Sequence, residues 1–275
     1  MLGAIIGDIV GSTYEFNNTR DYNFELFPQG SSYTDDTVCT IAIADAILKG
    51  IPYKDSLLHW CRRYRNPMGA YGNMFAQWID ADNPQPYNSY GNGAAMRVSP
   101  IGWAFPNPKE AIDEARHSAE CTHNHPEGIK GAEAIAACTT YLATHHTNPY
   151  ANQTVIMLAA NFYGVNFREN VPTPGTWDGT CQGCVPLAIK LFLDSKNFED
   201  AIRLAISYGG DSDTLGCIVG TLADAVYGIP TELREKALTY LPEDMKEVLF
   251  KFEEKYISPE LSWFSEHSEF FGEKF

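Results

Sequence analysis

Two short segments of the chain gather carboxylates and hydroxyls: TDDT at 34–37 and GGDSDT at 209–214. Each stands where an apolar segment of helical period begins. Every donor they offer is an oxygen, the set that hard divalent cations such as Mg²⁺ and Mn²⁺ prefer. In an extended or turn segment, side chains two apart can point the same way, so Asp211 and Asp213 can grip one ion together. Thr214 can add a hydroxyl. Asp35 and Asp36 are neighbours; they can bridge two ions, or divide between an ion and a hydrogen bond.

Helix capping is the simpler explanation of acids at helix starts, and a cap with first-turn acids is worth about 0.5–2 kcal/mol. It does not account for the surplus, because a cap needs only one side chain. The segment after DSDT is also rich in small residues (Gly216, Gly220, Ala223, Ala225), which implies close packing. Carboxylates grouped in a buried place are costly unless cations neutralise them. A third acidic stretch, GAIIGDIVGSTYEF at 3–16, carries Asp8 and Glu15. They would share a helix face over about two turns only if the helix were continuous, and Gly11 before Ser12 marks a break. Taken alone, Glu15 reads as a solvated surface acid.

The elements that must position these groups are helical almost throughout. Apolar residues recur at helical spacing over 37–49, 108–121, 127–146, 183–194, 197–208, 213–228, 231–240 and 242–256, several closing on Gly or Pro. Alternating β-branched patterns are scarce. The expectation is an all-α bundle of ten or more helices, built as a single domain over 1–275. Segments 82–107 and 164–182, rich in Pro, Gly, Asn and Tyr, read as ordered functional loops.

The chain of 275 residues carries 20 Lys and Arg against 35 Asp and Glu, a net charge of −15. That field opposes nucleic-acid phosphates and anionic membranes, so neither is expected as a partner. No run approaches a membrane span, and the apolar N-terminus lacks the basic region of a signal peptide. Seven cysteines, an odd number, suit reduced thiols and a cytoplasmic location. Cys39, Cys138 and Cys217 fall in apolar helical patterns and read as core. Cys181 and Cys184 form a CxxC with no second pair, which argues against zinc.

In these motifs the chain resembles the ADP-ribosylglycohydrolase family. The resemblance is carried by GAIIGDIVGSTYE (3–15), TDDT (34–37), GNGAAMRVSPIG (91–102), THNHPEGIKGAEA (122–134) and GGDSDTLGCIVGTLADAVYG (209–228), in family order. It implies an all-α fold holding two Mg²⁺ or Mn²⁺ ions on Thr34, Asp35, Asp36, Asp211, Asp213 and Thr214, with Glu15 beside them. It implies a substrate-binding set of Gly91, Asn92, Gly93, Ala94 and Met96 in the GNGAAMR loop, and His123, His125 and Gly128 in THNHPEG. Arg97 is expected to form an internal salt bridge that shapes that loop. Lys130 reads as a solvated helix lysine, and Tyr90 and Trp177 as rim or loop-packing residues.

The implied reaction is hydrolysis at C1″ of the distal ribose of an ADP-ribosyl group, carried on a protein or a small acceptor, with arginine the favoured linkage. Glu15, Asp36 and Asp211 are the candidates to activate water or steady the oxocarbenium-like transition state. A non-catalytic ADP-ribose binder, or a structural crystallin-like protein of the same fold, is the alternative. The complete acidic set favours the enzyme.

Overall fold

The first helix is apolar but for Asp8 and is buried on every side. In the computed structural model, which describes residues 1–257, α1 (Leu2–Gly11) has all ten residues buried. A helix of that composition belongs at the centre of a helical protein. The others follow as α2 (Asp35–Lys49), α3 (Tyr53–Arg63), α4 (Asn73–Asp80), α5 (Gly93–Met96), α6 (Ser99–Ala104), α7 (Pro108–Glu120) and α8 (Pro126–His145). Then come α9 (Ala151–Tyr163), α10 (Cys181–Asp194), α11 (Phe198–Tyr208), α12 (Ser212–Tyr227), α13 (Thr231–Leu238) and α14 (Glu243–Tyr256). The described residues are all-α. Their only extended pairings are two isolated bridges, Thr34 with Met68 and Gly91 with Thr180.

The small residues noted after DSDT have a direct purpose. Gly3, Gly7 and Gly11 on α1 meet Gly216, Gly220 and Asp213 at or near backbone contact. A Cβ added at Gly7 would stand 2.0 Å from the Gly216 carbonyl oxygen, and one at Gly11 2.4 Å from the Asp213 Cα. Only glycine permits that approach, so α1 and α12 are locked in register. Around them, α2 packs on α3 and α14, and α11 packs on α12. The long α8 gathers α5, α6, α7, α9 and α10.

The ends of α2 fit the chemistry of its sequence. Thr34 is the N-cap, its hydroxyl accepting from the Asp36 N–H, and Gly50 closes the helix at φ 63°. This start lies two residues before the periodicity and puts Asp35 and Asp36 in the first turn. Segment 164–182 is irregular up to Thr180, but 82–107 is not wholly loop, since α5 and α6 fold within it. Their brevity and glycines hide them from periodicity, although Pro100 sits correctly in the first turn of α6. No helix among the described residues is long and apolar enough to cross a membrane.

Candidate metal and ADP-ribose site

The starts of α2 and α12 meet across the end of α1, and the acids come together there. Asp8, Asp36 and Asp213, all buried, bring one carboxylate oxygen each within 4.8 Å of one another. Glu15, Asp211 and Asp213 form a second such triad. Asp213 belongs to both.

The hydrogen bonds decide between capping and ligation. Asp211 occupies the N-cap position of α12, yet its side chain makes no cap bond. It accepts instead from Asn92 Nδ2 at 2.7 Å, which ties the GNG loop to the acids. Asp36 Oδ2 accepts from Thr214 Oγ1 at 3.1 Å. Asp36 Oδ1 and Asp213 Oδ1 are buried with no protein partner at all. Buried carboxylate oxygens do not stay unpaired without reason, and two from opposite motifs suit a hard cation.

Burial raises every one of these carboxyls. It lifts Asp8 to about 6 and Glu15 to about 7, the latter helped by the charges of Asp211 and Asp8. Asp35, Asp36 and Asp213 lie well above the ordinary carboxylate range, again chiefly through burial and then through neighbouring negative groups. Asp211 is raised by burial too, opposed by its hydrogen bonds. In the absence of cations the cluster therefore favours protons.

The acids face a cavity of about 640 Å³, within the range of small-molecule sites. Glu15, Asp35, Asp211, Asp213 and Thr214 line one part; Gly91, Asn92, Gly93, Met96, Arg97 and His123 line another. Phe16, Met74 and Trp177 also border it, and all three are exposed. A slightly larger opening, about 740 Å³, lies between α2, α3 and α14, where the described residues end. Its charged groups are largely paired with one another, as in Lys49–Asp45 and Arg63–Asp244, and it lies apart from the acidic triads.

His123 is buried, and burial together with Arg97 holds its pKa well below the usual value, so its ring is neutral. A chain of bonds sets its tautomer. Arg97 Nη2 donates to Thr122 Oγ1 at 2.9 Å, and Thr122 Oγ1 lies 2.7 Å from His123 Nδ1, closer than its other acceptor, Ala119 O at 3.5 Å. The threonine proton therefore goes to Nδ1, which leaves Nε2–H as a donor. Nε2 stands 3.2 Å from where a Gly93 Cβ would be, so the glycines of the loop make room for that ring.

A match to the sequence profile of the ADP-ribosylglycohydrolases covers residues 1–257. The chain belongs to the ADP-ribosylglycohydrolase family. As a family member it is a hydrolase of glycosidic bonds. It is 29% identical to ADP-ribosylhydrolase ARH3 of Xenopus tropicalis, over 83% of this chain and 86% of that protein. It is 26% identical to ADP-ribosylarginine hydrolase Tri1 of Pseudomonas putida, over 86% and 72% respectively. With ADP-ribosyl-[dinitrogen reductase] glycohydrolase of Rhodospirillum rubrum it shares 25% identity, over 83% and 84%. A solved structure titled ADP-ribosylglycohydrolase-related protein complex superimposes with a TM-score of 0.67 at 24% identity, covering 90% of this chain and 93% of that one. That likeness speaks to the fold.

In this glycohydrolase-family chain the residues expected from the motifs divide into two groups. Glu15, Asp35, Asp36, Asp211, Asp213 and Thr214 gather at the cluster, with Thr34 capping α2 beside them. Gly91, Asn92, Gly93, Met96 and His123 reach the cavity. Ala94 is buried within α5. His125 caps α8, its Nδ1 accepting from the Glu127 N–H at 3.1 Å, and its ring lies against Tyr90 rather than on the cavity lining. Gly128 serves close packing, since a Cβ there would meet the Ser89 carbonyl oxygen at 2.7 Å. Lys130 pairs with Glu127 and lies over the Tyr163 ring.

Arg97 departs from expectation. It is buried and, among the described residues, forms no salt bridge; it ties the loop to the end of α7 through Ser118 O and Thr122 Oγ1. Neutral acceptors do the shaping, and the guanidinium charge remains available to the cavity it lines. Cys181 and Cys184 are both buried. Cys181 Sγ donates to Gly91 O at 3.1 Å, and burial pushes its thiol up to about 12. Asp8, Ser89 and Tyr87 were not singled out as site residues by the sequence. For Asp8 the signal was available: a lone acid in an otherwise apolar run.

Proposed function

We propose that this chain is a divalent-cation-dependent hydrolase that cleaves the bond at C1″ of an ADP-ribosyl group and releases ADP-ribose. The observation that carries the proposal is the pair of buried, unpartnered oxygens, Asp36 Oδ1 and Asp213 Oδ1, with Asp213 common to two carboxylate triads. A shared carboxylate is what a pair of cations needs, and the oxygen-only donor set suits Mg²⁺ or Mn²⁺. Asp36, Asp213, Thr34 and Thr214 would serve one ion, and Asp35, Asp211 and Asp213 the other. When bound, such cations supply positive charge that draws in ribose hydroxyls and acidifies water.

The chain's own groups supply the rest. Glu15 lines the cavity beside Asp211 and Asp213 and is only half-buried, so it can take a proton from an attacking water and pass it to solvent. Asp211 and Asp36 hold negative charge near the reacting sugar, which favours an oxocarbenium-like transition state. The N–H groups of Gly91 and Asn92 already donate to Ser89 Oγ and Gly179 O, which leaves His123 Nε2–H, the Gly93 N–H and the Arg97 guanidinium as donors and positive charge suited to the phosphates. The cavity thus has an acidic part for a cation-held diol and a donor-rich part for a diphosphate.

Arginine is the favoured acceptor. Among the described residues, buried Arg97 is the one Lys or Arg that lines the cavity, so away from it a cationic guanidinium leaving group meets acids and neutral groups. The acceptor is an ADP-ribosylated protein or a small conjugate, and seven free thiols suit a reducing cytoplasm.

The test is release of free ADP-ribose from arginine- and serine-ADP-ribosylated protein, with Mg²⁺, Mn²⁺ or EDTA, for wild type and Asp211→Ala. Release that needs a cation and disappears with the substitution supports the proposal. Binding of ADP-ribose without release from either substrate favours the non-catalytic alternative.

A further inference from the structure

One buried carboxylate near the site is claimed entirely by the protein. Asp8, in the middle of α1, is fully buried and accepts four hydrogen bonds, all from the TDDT motif. Its donors are Thr34 N at 3.0 Å, Thr34 Oγ1 at 2.7 Å, Thr37 N at 3.1 Å, and the Thr37 hydroxyl. The N–H groups at a helix start are normally satisfied by a residue of that same helix or by water. Here two of them are met by the side chain of a different helix.

The contrast with its neighbours separates the roles within the triad. Asp36 Oδ1 and Asp213 Oδ1 have no partner, whereas both Asp8 oxygens are engaged. The unpartnered oxygens are the ones free to meet a cation. Asp8 instead determines how its neighbours present themselves. Thr34 Oγ1 has one proton and two possible acceptors, Asp8 Oδ1 at 2.7 Å and Asp36 Oδ2 at 3.4 Å. The shorter bond takes the proton, so the Thr34 lone pairs are turned away from Asp8.

The same helix also fixes the other motif, because Gly11 lies directly against the Asp213 backbone. One rigid element, α1, therefore holds TDDT by Asp8 and DSDT by Gly11.

We infer that Asp8 is a positioning residue: it holds the start of α2 so that Asp36 Oδ1 comes to Asp213 unpartnered, and Thr34 Oγ1, one lone pair taken by the Asp36 N–H, keeps the other for a divalent cation. This rests on the cation reading above. Ligands whose outer partners are lost typically bind metal 10- to 100-fold more weakly.

The experiment is Mn²⁺ binding by calorimetry, alongside thermal melting of the metal-free protein, for wild type, Asp8→Asn, Thr37→Val and Asp45→Asn. Asparagine offers one acceptor oxygen and an NH₂ in place of two acceptors. The NH₂ would face Thr34 Oγ1 and turn the hydroxyl round, while the oxygen keeps the N–H bonds of α2. Mn²⁺ affinity is expected to fall roughly 10- to 100-fold in Asp8→Asn. Thr37→Val, which removes one donor to Asp8 and touches no proposed ligand, should bind several-fold more weakly.

Asp45→Asn is the control. It removes a buried carboxylate from the same α2, one bound to Lys49 and Trp60, and its Mn²⁺ affinity should match wild type even where its melting temperature drops. Unchanged affinity in folded Asp8→Asn overturns the inference. If that variant does not fold, unchanged affinity in Thr37→Val does so. An equal loss in the control would mean general loosening and would overturn it too. A wild type that binds no Mn²⁺ overturns the cation reading itself, a separate outcome.

Discussion

Asp36 and Asp213 approach within 4.8 Å of each other from the first turns of two different helices, and each leaves its Oδ1 buried without a protein partner. Each motif alone resembles an acid-rich helix start. The meeting of the two is what a cap cannot explain, since both orphan oxygens lie where no N–H reaches them.

The stability of the metal-free protein should depend on pH in an unusual direction. Folded Asp8 and Glu15 keep protons up to about 6 and about 7, which the unfolded chain releases near 4. Between about pH 4 and about pH 7 the folded state binds more protons, so stability falls as pH rises through that window. In EDTA the melting temperature should be several degrees lower at pH 8 than at pH 5.5. Saturating Mg²⁺ should remove most of the difference.

Asp213→Asn should separate stability from activity. Removing one charge from a buried like-charged cluster relieves repulsion, so the metal-free variant should melt higher than wild type at pH 8. Its ADP-ribose release should fall by at least ~10²-fold, more than loss of an outer partner costs. A variant that melts lower in EDTA and keeps activity would contradict the shared role of this carboxylate.

How much of this could be read in the sequence follows from how local each signal is. TDDT and DSDT are legible because their residues are adjacent, and the helices behind them because their apolar faces repeat. Asp8 is legible only as a lone acid in an apolar run; its role is not, because its four donors lie 26 and 29 residues away. The partners of Arg97 are hidden for the same reason, as neutral acceptors at the end of α7 and just beyond it leave no charge pattern. Likewise α5 and α6 are too short to show a period, and the role of His125 as a cap depends on where α8 begins.

Close backbone contact at the α1–α12 crossing should make Gly7 intolerant. A methyl group there would overlap the Gly216 carbonyl, and overpacking of this kind costs about 1–3 kcal/mol or more. Gly7→Ala should lower the urea midpoint accordingly and weaken cation binding, because both motifs hang on that crossing.

His123 should act as a neutral donor throughout the working range. His123→Ala should raise KM for an ADP-ribosyl substrate about tenfold, the value of one hydrogen bond to a charged group. Because its pKa lies well below the usual one, KM should show no histidine inflection between pH 6 and 8 that the variant lacks. An inflection lost on substitution would show that the ring charges in that range.

The most direct test of the shared carboxylate is the number of Mn²⁺ ions bound per chain, measured by equilibrium dialysis at pH 7.5 for wild type and Asp213→Asn. The account predicts two ions on wild type and a marked loss of both on the variant, since Asp213 belongs to each triad. Two ions bound with unchanged affinity by Asp213→Asn, or none bound by wild type at millimolar Mn²⁺, would contradict it.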